Sequence, residues 1–145
     1  MAFGDWEDVH DALVRALALL ADGDFLILGE PTRYPLPKRG LFGRRARPVA
    51  TRYVQVLRID DLYTAECVGA TSLGGNWDMS DATIDRLLTL GWRSPDEGTR
   101  EFDSVTPNFD MYVALTAAPT LSELLVATLE HLGARPGDLT LQTSQ

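Results

Sequence analysis

The chain predicts a single α+β domain spanning residues 1–145. Apolar residues recur at helical spacing near both ends of the sequence. Between them, a run with two-residue alternation is followed by a second strand-like run, a hairpin pattern. Gly, Pro, Asp and Ser fall at the junctions, where a chain must turn or start a helix. No internal repeat or linker divides the sequence.

The first element is a helix. Trp6, Val9, Leu13, Ala16, Leu17 and Leu20 make one apolar stripe. Asp5 suits the N-cap, Glu7 and Asp8 suit the positive end of the dipole, and Gly23 follows the helix. "FLILGE", from Phe25 to Glu30, reads as a short buried strand. Four prolines, Pro31, Pro35, Pro37 and Pro48, then argue against any long regular element before the next strand.

"VATRYVQVLRI" is the clearest strand. It sets Arg52, Val54, Val56 and Arg58 on one face, and Tyr53, Gln55, Leu57 and Ile59 on the other. Asp60-Asp61 is a tight connection, and "LYTAECVGA" is the return strand, with Tyr63, Ala65 and Cys67 sharing a face. "TSLGGNWDM" is an irregular loop. Ser80 caps a second helix, Met79 and Ile84 form a hydrophobic staple, and Gly91 ends the helix. Trp92 and Phe102 bracket short strands around Pro95 and Gly98, and "FDMYVAL" reads as a strand. The last helix begins at Thr120 with a Thr120–Glu123 capping box, carries Leu121, Leu124, Leu125 and Leu132, and ends at Gly133. After the Pro136-Gly137 turn, "DLTLQT" is an edge strand.

Charge narrows the function. Thirteen basic residues face twenty-one acidic ones, a formal net charge of -8. The segment "PLPKRGLFGRRARP" holds five of the cations, so the remainder sets eight cations against twenty-one anions. Such a body argues against general nucleic-acid binding, which needs a broad basic face. The most apolar stretch, "ALVRALALLA", is interrupted by Arg15 and is too short to span a bilayer, so no stable membrane insertion is expected. One cysteine excludes an internal disulfide framework and points to a reduced, cytoplasmic setting. The acidic start of the chain predicts no signal peptide.

The residues that carry chemistry are sparse. His10 and His131 lack metal-ligand spacing, and Cys67 has no basic sequence neighbour to activate it. "GATSLGG" has neither dinucleotide nor P-loop spacing, and no GxSxG or HExxH occurs. No catalytic residue, cofactor or metal is therefore expected, and the chain does not read as an enzyme. Of three tryptophans, Trp6 and Trp92 read as core, whereas Trp77 follows Gly74, Gly75 and Asn76 in a loop. It is either a partner anchor or folded onto the sheet.

Three signatures in order resemble the YbjN-like and type III secretion chaperone-like proteins, the TY-Chap domains. They are "YVQVLRIDDLYTAECVG", "LLTLGWRSP", and "PNFDMYVAL" followed by a helix and "GARPGDLTL". The resemblance covers about Tyr53 to Leu141. It implies a secretion-chaperone-like α+β fold, a twisted antiparallel sheet with helices packed mainly on one face. It also implies a bacterial, non-catalytic peptide- or protein-binding role. The secretion chaperones commonly hold extended client segments as dimers, which leaves a homodimer open here.

The expected mode is a chaperone or adaptor holding an extended segment against the sheet face or an edge strand. Candidate contacts are Tyr53, Gln55, Leu57, Trp77 and Phe109. A second candidate region is the cationic segment, with Leu41 and Phe42 flanked by Lys38, Arg39, Arg44, Arg45 and Arg47. That segment reads either as a solvated loop or as a docking element for an acidic partner. The alternative for the whole chain is a small acidic regulatory or immunity-type protein that masks a basic partner.

Overall fold

A computed structural model describes residues 3–31, 51–95 and 108–144. Its elements run α1 (Trp6–Leu19), β1 (Phe25–Gly29), β2 (Tyr53–Ile59), β3 (Leu62–Cys67), α2 (Asp81–Leu90), β4 (Phe109–Ala114), α3 (Ala118–His131) and β5 (Thr140–Thr143). The five strands form one antiparallel sheet in the order β4-β3-β2-β1-β5. The α+β class is as the sequence predicts.

Local chemistry sets the element ends. The Asp5 side chain accepts from the Asp8 amide, and the Ser80 hydroxyl accepts from the Thr83 amide, capping α1 and α2. Gly91 ends α2 at φ 112°, a left-handed conformation that costs a residue with a Cβ. Ile59 pairs with Leu62, which leaves Asp60-Asp61 as a two-residue turn. Asp60 takes φ 53°, tolerated because a short polar side chain can bond locally, and its amide donates to Asp22 Oδ1 at 2.8 Å.

One expectation changes. The last helix starts at Ala118, not Thr120, and no side chain caps it. A 3-10 turn over Leu115–Ala117 leads into it, and Pro119 sits in its first turn. Proline suits that position because the missing amide would have no helical partner, so the capping-box Thr120 lies inside the helix.

The core lies between the sheet and one helix layer. Leu26, Leu28, Val54, Val56, Ala65, Cys67 and Phe109 are fully buried on the sheet side. Val9, Leu13 and Leu17 of α1, Leu87 of α2, and Leu121, Leu125 and Leu129 of α3 face them, each at most 1% exposed. Helix α3 packs against both α1 and α2 and rests on β2 and β4. Each buried leucine contributes about 1.5–3 kcal/mol. Trp92 is buried as expected, and its indole donates to Thr128 Oγ1 at 2.8 Å. Tyr63 Oη reaches back to the Leu17 carbonyl at 3.0 Å, tying the sheet to the end of α1.

Candidate functional site

Strand alternation buries one face of the sheet under the helices and leaves the other without a helix layer among the described residues. On that open face the register lines up side chains in rows across the strands. Phe25, Leu57, Thr64 and Tyr112 form one row. Beside it, Ile59 and Leu62 pair next to the turn. The next row is Gln142, Ile27, Gln55, Glu66 and Asp110, followed by Thr140, Gly29 and Tyr53.

The first of these rows and the Ile59–Leu62 pair are unusually apolar for a solvent face. Tyr112 is 58% exposed, Ile59 49%, Leu62 44% and Phe25 42%. The other large hydrophobics exposed among the described residues, Leu19 and Leu88, lie on two different helices. Scattered singles need no explanation, but a contiguous patch on one face marks an interaction surface.

Two depressions lie on this face. One, of about 290 Å³, is lined by Ile59, Asp60, Asp61, Leu62, Thr64 and Tyr112 at the hairpin end. The other, of about 250 Å³, lies toward β5 and includes Ile27, Gly29, Tyr53, Gln55, Thr140 and Gln142 in its lining. Gly29 shapes the second depression. A Cβ there would stand 2.5 Å from Tyr53 Cβ and 2.8 Å from the Arg52 carbonyl oxygen, so β1 and β2 approach closely only because this residue lacks one.

Polar contacts hold the face in place. Tyr53 Oη lies 3.1 Å from Asn108 Nδ2, which donates to it, and the Gly69 amide donates to Asn108 Oδ1 at 3.2 Å. Burial pushes the Tyr53 phenol above its ordinary range, although the Asn108 contact opposes the shift. The Gln55 amide donates to Glu66. Arg93 donates to Asp110 at 2.9 Å, and its guanidinium lies 5.0 Å over the Tyr112 ring. The bond to Asp110 holds that guanidinium above its ordinary value. Arg93 also bridges the backbone of Asp110, pairing part of the outer edge of β4.

The structure thus brings together three of the predicted contacts, Tyr53, Gln55 and Leu57, and separates the other two. Phe109 is corrected. It pairs with Cys67 on the helix-facing side and is fully buried, so a client on the open face cannot touch it. Trp77 is half-buried beneath the Arg52 guanidinium, 4.5 Å from the ring centroid. Arg52 in turn pairs with Glu30 at 2.7 Å and lies beside Gly133 at the end of α3, so Trp77 belongs with the helix side. Lys38, Arg39, Leu41, Phe42, Arg44, Arg45 and Arg47 lie outside the described residues, as does Phe102. Sequence reasoning missed Phe25, Ile59, Leu62 and Tyr112. The signal was present in β2, where Leu57 and Ile59 are apolar on the face opposite Val54 and Val56.

Other groups with reactive potential are absorbed into packing. Ser122 Oγ lies 2.8 Å from His10 Nδ1, the spacing of a nucleophile and base. Ser122 is fully buried, however, and the contact joins α3 to α1. His131 Nε2 accepts from Arg86 Nε at 3.2 Å. The Cys67 thiol is buried, and burial pushes its pKa up, away from a reactive thiolate. Among the described residues no group of three His, Cys, Asp or Glu could hold a metal, and no helix is long and apolar enough to cross a membrane.

Neither the curated proteins nor the solved structures searched contained a match to the chain. A family model described as "T3SS (YopN, CesT) and YbjN peptide-binding chaperone 3" matches residues 2–145, nearly every residue of the chain. With its three helices on one side of an open antiparallel sheet, the chain belongs to this peptide-binding chaperone family, TY-Chap3.

Proposed function

We propose that the protein is a non-catalytic chaperone or adaptor that holds an extended client segment on the open face of its sheet. The observation that carries this reading is the exposure of Phe25, Ile59, Leu62 and Tyr112 together on a face that already contains Leu57. From Tyr53 to Ile59 the face runs for about 20 Å at about 3.3 Å per residue. That length suits a client segment of about six residues, with alternate side chains entering the two depressions. Among the described residues, Arg93 alone pairs with the outer edge of β4, and the rest of that edge is where a client would add a strand.

The test is a Leu57→Ser, Tyr112→Ser double variant. Both side chains sit on the open face, so the variant keeps its circular dichroism and melting cooperativity while client-peptide binding falls at least tenfold. Unchanged binding in the folded variant would remove the open face from the account.

The acidic surface favours the alternative, masking of a basic partner. The described residues include seventeen carboxylates and six guanidiniums. Salt separates the two modes. A masked basic partner is released altogether as ionic strength rises, whereas a held segment keeps the affinity of its apolar anchor.

A further inference from the structure

The depression at the hairpin end joins an apolar floor to an anionic rim. Ile59, Leu62, Thr64 and Tyr112 supply the floor, and Asp60 and Asp61 supply the rim. One further carboxylate belongs to the same end of the sheet. Asp22 Oδ1 accepts from the Asp60 amide at 2.8 Å. Among the described residues, the guanidiniums at this end are engaged elsewhere. Arg58 turns its guanidinium to the Leu20 and Asp60 carbonyls, at 2.5 and 3.3 Å. Arg93, beside Tyr112, is balanced by Asp110 at 2.9 Å.

We infer that this depression selects client segments in which a large apolar residue is flanked by arginine or lysine. The inference rests on the peptide-holding reading and adds the client's chemistry to it. Affinity comes from the apolar anchor filling the floor, where burial displaces water from Ile59, Leu62 and Tyr112. Selectivity comes from the rim. A basic flank gains from Asp60 and Asp61 and is steered toward them, whereas an acidic flank is repelled.

The experiment is fluorescence anisotropy with short synthetic peptides and the full chain. Four probes share a length: Leu-Phe flanked by arginines, Leu-Phe flanked by glutamates, Leu-Phe flanked by serines, and Ala-Ala flanked by arginines. The protein is tested as wild type, as an Asp60→Asn, Asp61→Asn variant, and as Tyr112→Ser. Asparagine at position 60 keeps a side chain that tolerates the positive φ.

In low salt, the arginine-flanked Leu-Phe peptide binds tightest to wild type. The double asparagine variant weakens it about tenfold, within the range of two exposed charge pairs, and leaves the serine-flanked peptide unchanged. High salt removes the difference between flanks. Tyr112→Ser weakens every Leu-Phe peptide.

Equal binding of the arginine- and glutamate-flanked peptides, with both weakened by Tyr112→Ser, would overturn the selectivity and leave peptide holding intact. Equal binding of the Ala-Ala and Leu-Phe arginine peptides would overturn it as charge attraction alone. A folded wild type that binds no Leu-Phe peptide would overturn both the inference and the reading beneath it. A wild-type dimer dissociated by Tyr112→Ser, with no peptide bound, would assign the depression to a second copy and overturn the inference as well.

Discussion

Substituting Phe109 with alanine tests the division of the sheet into a core face and a client face. Phe109 is fully buried opposite Cys67, in a layer that also contains Ala65 and the α3 leucines. Truncating a buried phenylalanine costs about 3–5 kcal/mol, combining lost transfer energy with the cavity left behind. With a urea dependence of about 2 kcal/mol per molar, the unfolding midpoint falls by about 2 M. Tyr112, three residues along the same strand, is 58% exposed on the opposite face. Its replacement by alanine removes the Arg93 contact and leaves the core intact, and costs about 0.5–1 kcal/mol. Urea unfolding followed by tryptophan fluorescence measures both. Equal midpoint shifts for the two variants, or a Phe109→Ala shift below about 0.5 M, would refute the assignment of faces.

Four further outcomes follow from packing and titration. Trp92→Phe removes the indole bond to Thr128, whose hydroxyl keeps its own acceptor in the Leu124 carbonyl, so unfolding in urea is easier by about 1–2 kcal/mol. An unaltered midpoint would mean that the indole bond contributes nothing. Gly29→Ala forces β1 and β2 apart at Tyr53 and costs about 1–3 kcal/mol, read as a lower melting temperature; a melt matching wild type would contradict the close approach. Cys67 resists a thiol reagent at pH 8 until urea unfolds the chain, because burial raises its pKa. The same burial raises Tyr53 and Tyr63. Each group then binds its proton more tightly when folded, so its contribution is complete below the ordinary values of 9.0 and 10.0 and is lost as pH climbs past them. Urea midpoints that stay level from pH 8 to 11 would contradict this.

The helices and the hairpin were legible because their signals are local. Val9, Leu13 and Leu17 repeat at helical spacing, and Asp5, Ser80 and Gly91 carry the chemistry their end positions need. The alternation of Val54 and Val56 with Tyr53, Gln55 and Leu57 identified the two faces of β2 correctly. The start of α3 was misplaced because Pro119 in a first turn and a capping box at Thr120 compete, and helix propagation from the 3-10 turn wins. Phe109 was misassigned although the strand held the answer. Phe109, Met111 and Val113 share one face, and three apolar residues in alternation mark the core side. Trp77 could not be placed from sequence, since its cover is Arg52, twenty-five positions away. Nor could the patch on the open face, which exists only once β1, β2, β3 and β4 align Phe25, Leu57, Thr64 and Tyr112.

The most direct test of the central claim maps a bound peptide by amide chemical-shift changes in the isotopically labelled full chain. The account predicts that the largest changes fall on Phe25, Leu57, Ile59, Leu62, Thr64 and Tyr112, with little movement at Val9, Leu13 or Leu125. Changes centred on the helix layer instead, with the open face silent, would contradict it.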